Sequence, residues 1–244
     1  MTLFKKNLLK GIINTIIWVS ALLLVYGYVY PQLGMTKKFG AIFITGAITS
    51  CCIFEIWKTT AGFISDLKNT QVTLYPLTLP LPSWLYFIQL ACSYAIKSMA
   101  FGIIILPLGK LILWHEIHFT NFSVHKFLLM FIIINIFGGF LSLFISSITN
   151  DMETMRKVWM RILLPLWFLG GSSFPWFAVY KFSPTVAYLF LLNPVTFASE
   201  GIRAATIGQK DYLSFWICLA VLWATSLLFG FIAIKIFKRR LNFI

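Results

Sequence analysis

Charged side chains are scarce in this sequence. Only 11% of its 244 residues are Asp, Glu, Lys or Arg, whereas 59% are hydrophobic, and the mean hydropathy is +0.87. A soluble domain cannot cover its surface with so few polar groups. The scarcity therefore indicates an integral membrane protein. Since long apolar runs cross a bilayer as helices, the expected fold class is all-α.

Cysteine is also rare, with four residues at Cys51, Cys52, Cys92 and Cys218. All four lie in apolar stretches, where they act as small packing residues. Their spacing matches neither a disulfide framework nor a metal-binding motif. We therefore expect no metal site in this chain.

A nucleotide-binding loop of the form Gly-x-x-x-x-Gly-Lys-Ser/Thr is absent. Such a loop cradles the phosphates of ATP in P-loop ATPases. The chain is therefore not expected to be an enzyme of this kind, and any ATP-driven activity needs a separate protein.

Acidic residues number seven against 20 Lys and Arg, which gives a formal charge of +13. The basic residues sit at the ends of apolar runs rather than in an extended patch, so we expect no nucleic-acid partner. They indicate orientation instead, because cytoplasmic loops are enriched in Lys and Arg. The expected cytoplasmic set is Lys5, Lys6, Lys10, Lys58, Lys68, Arg156, Lys157, Arg161, Lys235, Lys238, Arg239 and Arg240. Both termini are thus predicted to be cytoplasmic.

Six apolar runs approach the about 20 residues that a helix needs to cross a bilayer. They cover residues 12–30, 39–57, 84–108, 126–149, 158–180 and 213–234. The first run lacks a small-residue cleavage motif, so we expect it to remain as a span. Residues 1–11 would form a short interfacial segment, and residues 1–244 a single transmembrane domain.

A later apolar region is interrupted by Pro165, Gly170-Gly171 and Pro175. In lipid, backbone opened at such residues must be buried in protein or line a wet cavity. We therefore predict a re-entrant helical segment at 174–208, before the last span.

The pair Asn193-Pro194 predicts a new helix within this segment. Asn is a good N-cap and Pro suits the first helical position. Glu200 and Arg203 then lie three residues apart on that helix. We expect these four residues to support the re-entrant helix rather than to contact a substrate.

Two charged residues fall inside predicted spans. Glu55 either pairs with Lys58, in the order that suits a helix, or faces the bundle interior as a functional group. We favour the pair. Lys97 is costly in lipid, so it is a candidate interior partner of Glu55.

The segment 59–83 is the longest one assigned to the cytoplasm. Its first half has the composition of a short helix, and three prolines close its second half to helix. A short helix on a stiff tether suits docking to a soluble protein, while an ordinary solvated connector fits the residues equally well.

Another loop carries His115, Glu116, His118 and His125. Its spacing departs from the His-Glu-x-x-His motif of zinc proteases, so a wet loop is the preferred interpretation over a metal site. A membrane-embedded, lipid-modifying enzyme that uses these residues is the alternative function from another class.

The order of these features along the chain indicates a family. A Pro-rich inner loop follows the second span, and METMRKVWMRILLPLWFLGGSSFPW and LLNPVTFASEGIRAATIG precede the last one. This layout resembles the permease subunit of bacterial ABC exporters of the ABC type 2 class. The fold would then be like that of a type V ABC exporter. The inner loop around Tyr75-Pro76 and Pro80 looks most like that of exporters of capsular polysaccharide, O-antigen or lipo-oligosaccharide.

This resemblance implies a homodimer in the bacterial inner membrane, joined by two copies of an ABC ATPase that binds ATP and Mg. The cargo would be an amphipathic glycolipid or polysaccharide, with drugs or membrane lipids as the alternative. By the family pattern, a short coupling helix would dock on the ATPase through Ile64, Asp66, Leu67, Lys68, Gln71 and Val72.

Aromatic residues make up 18% of the chain. Sugars stack on aromatic faces, so an aromatic-lined path would suit a glycan. Aromatic belts at the membrane interfaces explain the same residues without a substrate, and that interpretation is preferred. The candidates for a translocation path are Trp167, Phe168, Phe174, Trp176 and Phe177.

Overall fold

The computed structural model describes residues 2–34, 39–68, 82–114 and 122–241. All regular structure within these ranges is helical, as the composition predicts. The elements of the first half are α1 (Thr2–Leu24), a π-helical turn π1 (Val25–Val29), α2 (Tyr30–Gln32), α3 (Phe39–Lys68), α4 (Ser83–Gly102) and α5 (Ile105–Ile112).

The second half contains the interrupted region. Its elements are α6 (Val124–Ile148), α7 (Met152–Val158), a second π-helical turn π2 (Trp159–Leu163), α8 (Leu164–Leu169), α9 (Trp176–Phe182), α10 (Pro184–Phe190), α11 (Pro194–Thr206) and α12 (Phe215–Leu241).

Five helices in the described part of the chain are long and apolar enough to cross a bilayer. They are Gly11–Gln32, Gly40–Leu67, Trp84–Ile112, Val124–Ile148 and Phe215–Arg239. Each contains one of the predicted apolar runs or most of it, so an all-α, multi-pass membrane fold is confirmed.

The remaining apolar run, 158–180, is divided between elements. Helical structure continues from α7 through π2 and α8 to Leu169, and α9 begins only at Trp176. Gly171 has a φ of 67°, a left-handed conformation that favours glycine. Residues 170–175, here called the break loop, therefore end one helix and start the next.

The centre of the bundle is α6, which packs against α12, α4 and α3. Two glycines let its neighbours approach closely. A Cβ atom at Gly138 would meet the Cys52 sulfur of α3, and one at Gly139 would meet the Ala91 carbonyl of α4. Small residues serve this purpose in membrane helix packing.

The described residues at the start of the predicted inner loop are helical. Residues 59–68 continue α3 without interruption to Lys68. Thr59 donates from its hydroxyl to the Glu55 carbonyl at 2.8 Å. The stretch contains no proline, and its one glycine, Gly62, is tolerated within the helix.

Candidate functional site

The break loop is held by one buried side chain. Arg203 of α11 has 0% of its surface exposed. Its Nη1 donates to the Phe174 carbonyl at 3.0 Å, and its Nη2 donates to the carbonyls of Gly171 and Ser172 at 2.6 and 3.0 Å. The guanidinium thus satisfies backbone oxygens that lipid cannot satisfy.

Glu200 completes this arrangement. Its Oε1 accepts from Arg203 Nη1 at 3.1 Å and from the Trp176 amide at 2.9 Å, and its Oε2 accepts from the Leu213 amide at 3.3 Å. Burial lowers the pKa of the Arg203 guanidinium, and the Glu200 carboxylate opposes that shift. Arginine stays protonated in proteins, so the pair remains ionic.

The start of α11 is fixed by Asn193. Its Oδ1 accepts from the Val195 amide at 2.9 Å, and its Nδ2 donates to the Leu166 carbonyl at 2.7 Å. Pro194 occupies the first helical position. One side chain therefore caps α11 and ties it to α8. Asn193 thus fixes the helix that carries Glu200 and Arg203, and these two side chains bond the break loop and the start of α9.

Glu55 and Lys58 form an ion pair on α3, with the Lys58 ammonium donating to Glu55 Oε1. The ammonium also lies 5.6 Å from the centroid of the Phe101 ring. Lys97 is exposed and lies 5.8 Å from the Tyr94 ring centroid. The structure thus pairs Glu55 with Lys58, and Lys97 contacts an aromatic ring on its own helix.

A cavity of about 510 Å³ opens beside this ion pair, between α1, α3 and π2. The polar residues Asn14, Thr15, Glu55 and Lys58 lie on its wall together with aromatic residues. The complete lining is Asn14, Thr15, Trp18, Cys51, Phe54, Glu55, Trp57, Lys58 and Trp159.

The aromatic residues of this cavity form a connected cluster. Phe54 lies at the middle, with ring centroids 5.2 Å from Trp18, 5.6 Å from Trp159 and 5.1 Å from Trp167. Trp57 is 5.3 Å from Trp159. We call these five residues the aromatic cluster. It connects α1, α3 and the helix from α7 to α8.

The predicted path residues separate into different surroundings. Trp167 belongs to the aromatic cluster and donates from Nε1 to the Ser50 hydroxyl at 2.7 Å. Phe168 lies beside it, at 4.5 Å between ring centroids. Phe174 contacts Phe190. The remaining two are on α9, where Trp176 and Phe177 each pack against Tyr180.

Sequence reasoning missed Trp18, Phe54 and Trp57 as site residues. Phe54 and Trp57 lie three apart on α3, a spacing that places both on one helix face. Their neighbours are also apolar, so no polar face marks that side of the helix. The spacing alone was the available signal.

The predicted coupling residues and the histidine loop are only partly covered by the described ranges. Ile64 is buried in the core, and Asp66 and Leu67 are half-buried near the end of α3. Gln71 and Val72 lie outside the described residues, as do His115, Glu116 and His118. Within the described ranges, no group of His, Cys, Asp and Glu is arranged to hold a metal ion.

Long spanning helices, a break loop bonded to buried side chains and a cavity between helices define an all-α, multi-pass membrane protein. The family model for the ABC-2 type transporter matches residues 2–207, so the chain belongs to the ABC-2 type transporter family. It is a membrane permease subunit, and the family implies an ABC ATPase as its partner. No curated protein and no solved structure gives a significant match.

Proposed function

We propose that this chain is the permease of an ATP-driven exporter that moves an amphipathic glycolipid or polysaccharide out of a bacterial cytoplasm. Two copies of the chain would form the transmembrane pathway in the inner membrane. Two ABC ATPase subunits, which bind ATP and Mg, would drive it from the cytoplasmic side. The region from Ile64 to Val72 would couple the two kinds of subunit.

The aromatic cavity carries the proposal for the cargo. Sugar rings present C–H groups that pack on the negative face of an aromatic ring, and Trp offers the largest such face. Trp18, Trp57 and Trp159 all line the cavity, with Asn14 and Thr15 as polar groups beside them. A site of this size and composition suits an amphipathic ligand better than a fully polar one.

The exposed faces on either side of the cavity support a second copy. Ile17 of α1 is 63% exposed, and Met160 of π2 is 59% exposed. Both helices also line the cavity, so a second copy placed against them would enclose it. A pathway built at that junction would then be contributed by both chains.

Export of surface polysaccharide tests this function. In a strain that lacks the gene, the unchanged chain should restore surface polysaccharide. The double variant Trp18→Ala/Trp159→Ala should restore about tenfold less, because two stacking surfaces are removed. Trp223→Ala is the matched control, since Trp223 lies on an exposed face of α12 away from the cavity.

Loss of the gene without any change in surface polysaccharide would contradict the proposed cargo. In that case drug efflux and lipid export should be measured in the same strains. Purification of the chain with no ABC ATPase bound would contradict the proposed assembly.

A further inference from the structure

The two charges of the Glu55–Lys58 pair are not equally accessible. The side chain of Glu55 is 7% exposed, whereas that of Lys58 is 53% exposed. Both residues line the cavity. A ligand that enters the cavity therefore meets the ammonium of Lys58 before the carboxylate of Glu55.

The ammonium has unused binding capacity. A lysine side chain carries three N–H donors, and Glu55 Oε1 accepts from one of them. The centroid of the Phe101 ring lies 5.6 Å from the ammonium nitrogen. Glu55 thus orients the ammonium and leaves donor capacity for an incoming anion.

Apart from the charged pair, Asn14 and Thr15, the residues that line the cavity are apolar. Three of them are the tryptophans Trp18, Trp57 and Trp159. On the adjoining face of α1, Ile13 and Ile17 are exposed large hydrophobic residues. A ligand that uses both parts needs an anionic group at one end and an apolar chain at the other.

We propose that this cavity binds the phosphate-bearing headgroup of an amphiphile, with Lys58 as the binding residue. Phosphate supplies several charged oxygens, and its hydrogen bonds to an ammonium are stronger than those of neutral groups. The apolar chain packs against Trp18, Trp57 and Trp159 of the same cavity. This inference rests on the proposed export function and specifies the chemistry of its cargo.

A cationic amphiphile is the competing ligand. Aromatic rings next to a carboxylate are a common site for quaternary ammonium groups. Here, however, the Glu55 side chain is 7% exposed and its carboxylate is already paired with Lys58. Bringing a second cation into that position would place two like charges together, which the geometry disfavours.

Quenching of tryptophan fluorescence tests the proposal directly. The full chain is placed in phosphatidylcholine nanodiscs, and three brominated probes are added at equal mole fraction. The probes are 2-bromoundecyl phosphate, 2-bromoundecyl trimethylammonium and 2-bromoundecyl glucoside, which carry the bromine next to the headgroup. Bromine quenches nearby indoles, so a probe bound in the cavity quenches Trp18, Trp57 and Trp159 beyond the background from lipid-facing tryptophans.

The phosphate probe should bind at least about tenfold more tightly than the other two, as expected for a charge-assisted hydrogen bond. Trp159→Phe should reduce the quenching that this probe produces. The double variant Glu55→Gln/Lys58→Gln should abolish the preference for phosphate. It removes both charges together and so leaves no unpaired carboxylate that could unfold the chain. Lys97→Gln, a change at an exposed lysine elsewhere, should preserve the preference.

Equal quenching by all three probes, or a preference that survives the double variant, overturns the proposal. Stronger quenching by the trimethylammonium probe would assign the cavity to cations instead. Inorganic phosphate or pyrophosphate is added as a competitor. If either displaces the probe at micromolar concentration, the site recognises a soluble phosphate and the amphiphile part is wrong.

These results are separable from the export test. A glucoside that quenches as strongly as the phosphate would leave glycan export standing and remove the role of Lys58. Phosphate binding without any effect of gene loss on surface polysaccharide would support the cavity assignment and contradict the cargo proposed above.

Discussion

Arg203 supplies the hydrogen-bond donors that the break-loop carbonyls would otherwise obtain from water. Its two terminal nitrogens donate to three carbonyl oxygens of the break loop and to Glu200. A planar guanidinium has several donors in fixed directions, so one side chain serves all of these acceptors. Lysine has no such geometry.

Arg203→Met should therefore destabilise the protein by about 3–5 kcal/mol, because it leaves a buried carboxylate unpaired and the loop carbonyls without donors. Arg203→Lys should cost less, since it retains the charge. Thermal unfolding in detergent measures both changes. Arg239→Met, at an exposed position of α12, is the control. If Arg203→Met unfolded at the same temperature as the unchanged chain, the loop would not depend on this side chain.

Gly46 makes the closest approach between α3 and the break loop. A Cβ atom there would collide with the carbonyl oxygen of Ser172, which is backbone and cannot turn away. Gly46→Ala should lower the unfolding free energy by about 1–3 kcal/mol. Gly62→Ala on the same helix has open space within 4 Å, and it should be neutral or stabilising. Equal effects of the two changes would refute the contact.

At the level of single residues, the sequence predicted which side chains support the re-entrant helix but not the groups to which they bond. Asn193-Pro194 marked the start of α11 because capping and proline preferences are local. The partners of Arg203 are backbone carbonyls about 30 positions earlier in the chain, at Gly171, Ser172 and Phe174. Any residue type supplies a carbonyl, so no sequence pattern identifies them.

The π2 turn follows from a proline in the next element. Pro165 has no amide hydrogen and cannot complete the helical hydrogen bonding of the preceding turn. The backbone accommodates this with a π-helical turn over Trp159–Leu163. The turn begins at Trp159 and precedes Trp167, so it sets the relative orientation of two members of the aromatic cluster.

Pro165→Ala should restore an α-helical turn and rotate Trp159 away from Trp57 and Phe54. We expect export to fall severalfold while thermal stability stays equal or rises, because proline in a helix interior is unfavourable. Export and unfolding temperature are measured on the same preparation. Pro184→Ala, at the first position of α10, is the control and should leave export unchanged.

The predicted coupling region is best tested at Val72. Leu67 packs against a small core of Phe63, Phe87 and Phe237, so a charge there would disturb folding as well as docking. Val72→Asp should uncouple ATP hydrolysis from transport in the purified complex, and the unfolding temperature is measured on the same preparation to check that the chain remains folded. Retained coupling would argue that the ATPase docks elsewhere.

At the level of elements, the apolar runs predicted the spanning helices, because a run of about 20 apolar residues has the length and composition to cross a bilayer as a helix. Of the predicted short inner helix, the structure describes residues up to Lys68, and these residues continue α3. The aromatic cluster joins residues from three elements, and its assembly depends on packing that no single stretch encodes.

The whole molecule leaves one side of α1 and π2 uncovered. If two copies meet there, the variants Ile17→Cys and Met160→Cys should form disulfide crosslinks between chains. The experiment uses a Cys92→Ser background, because Cys92 is exposed whereas Cys51, Cys52 and Cys218 are buried. Leu227→Cys, on an exposed face of α12, should give no crosslinked dimer on a non-reducing gel. A dimer that forms only through position 227 would place the interface on the opposite side.

The length of α3 has a mechanical consequence. The helix is continuous, and it touches the break loop at Gly46 and ends at Lys68, about 33 Å away at 1.5 Å per residue. A continuous helix moves as a rigid element, so a displacement at one end also displaces the other. Arg203 bonds the Ser172 carbonyl and so ties the break loop to α11. A displacement of α3 at Lys68 would therefore move Gly46 against the break loop directly, without rearrangement of intermediate side chains.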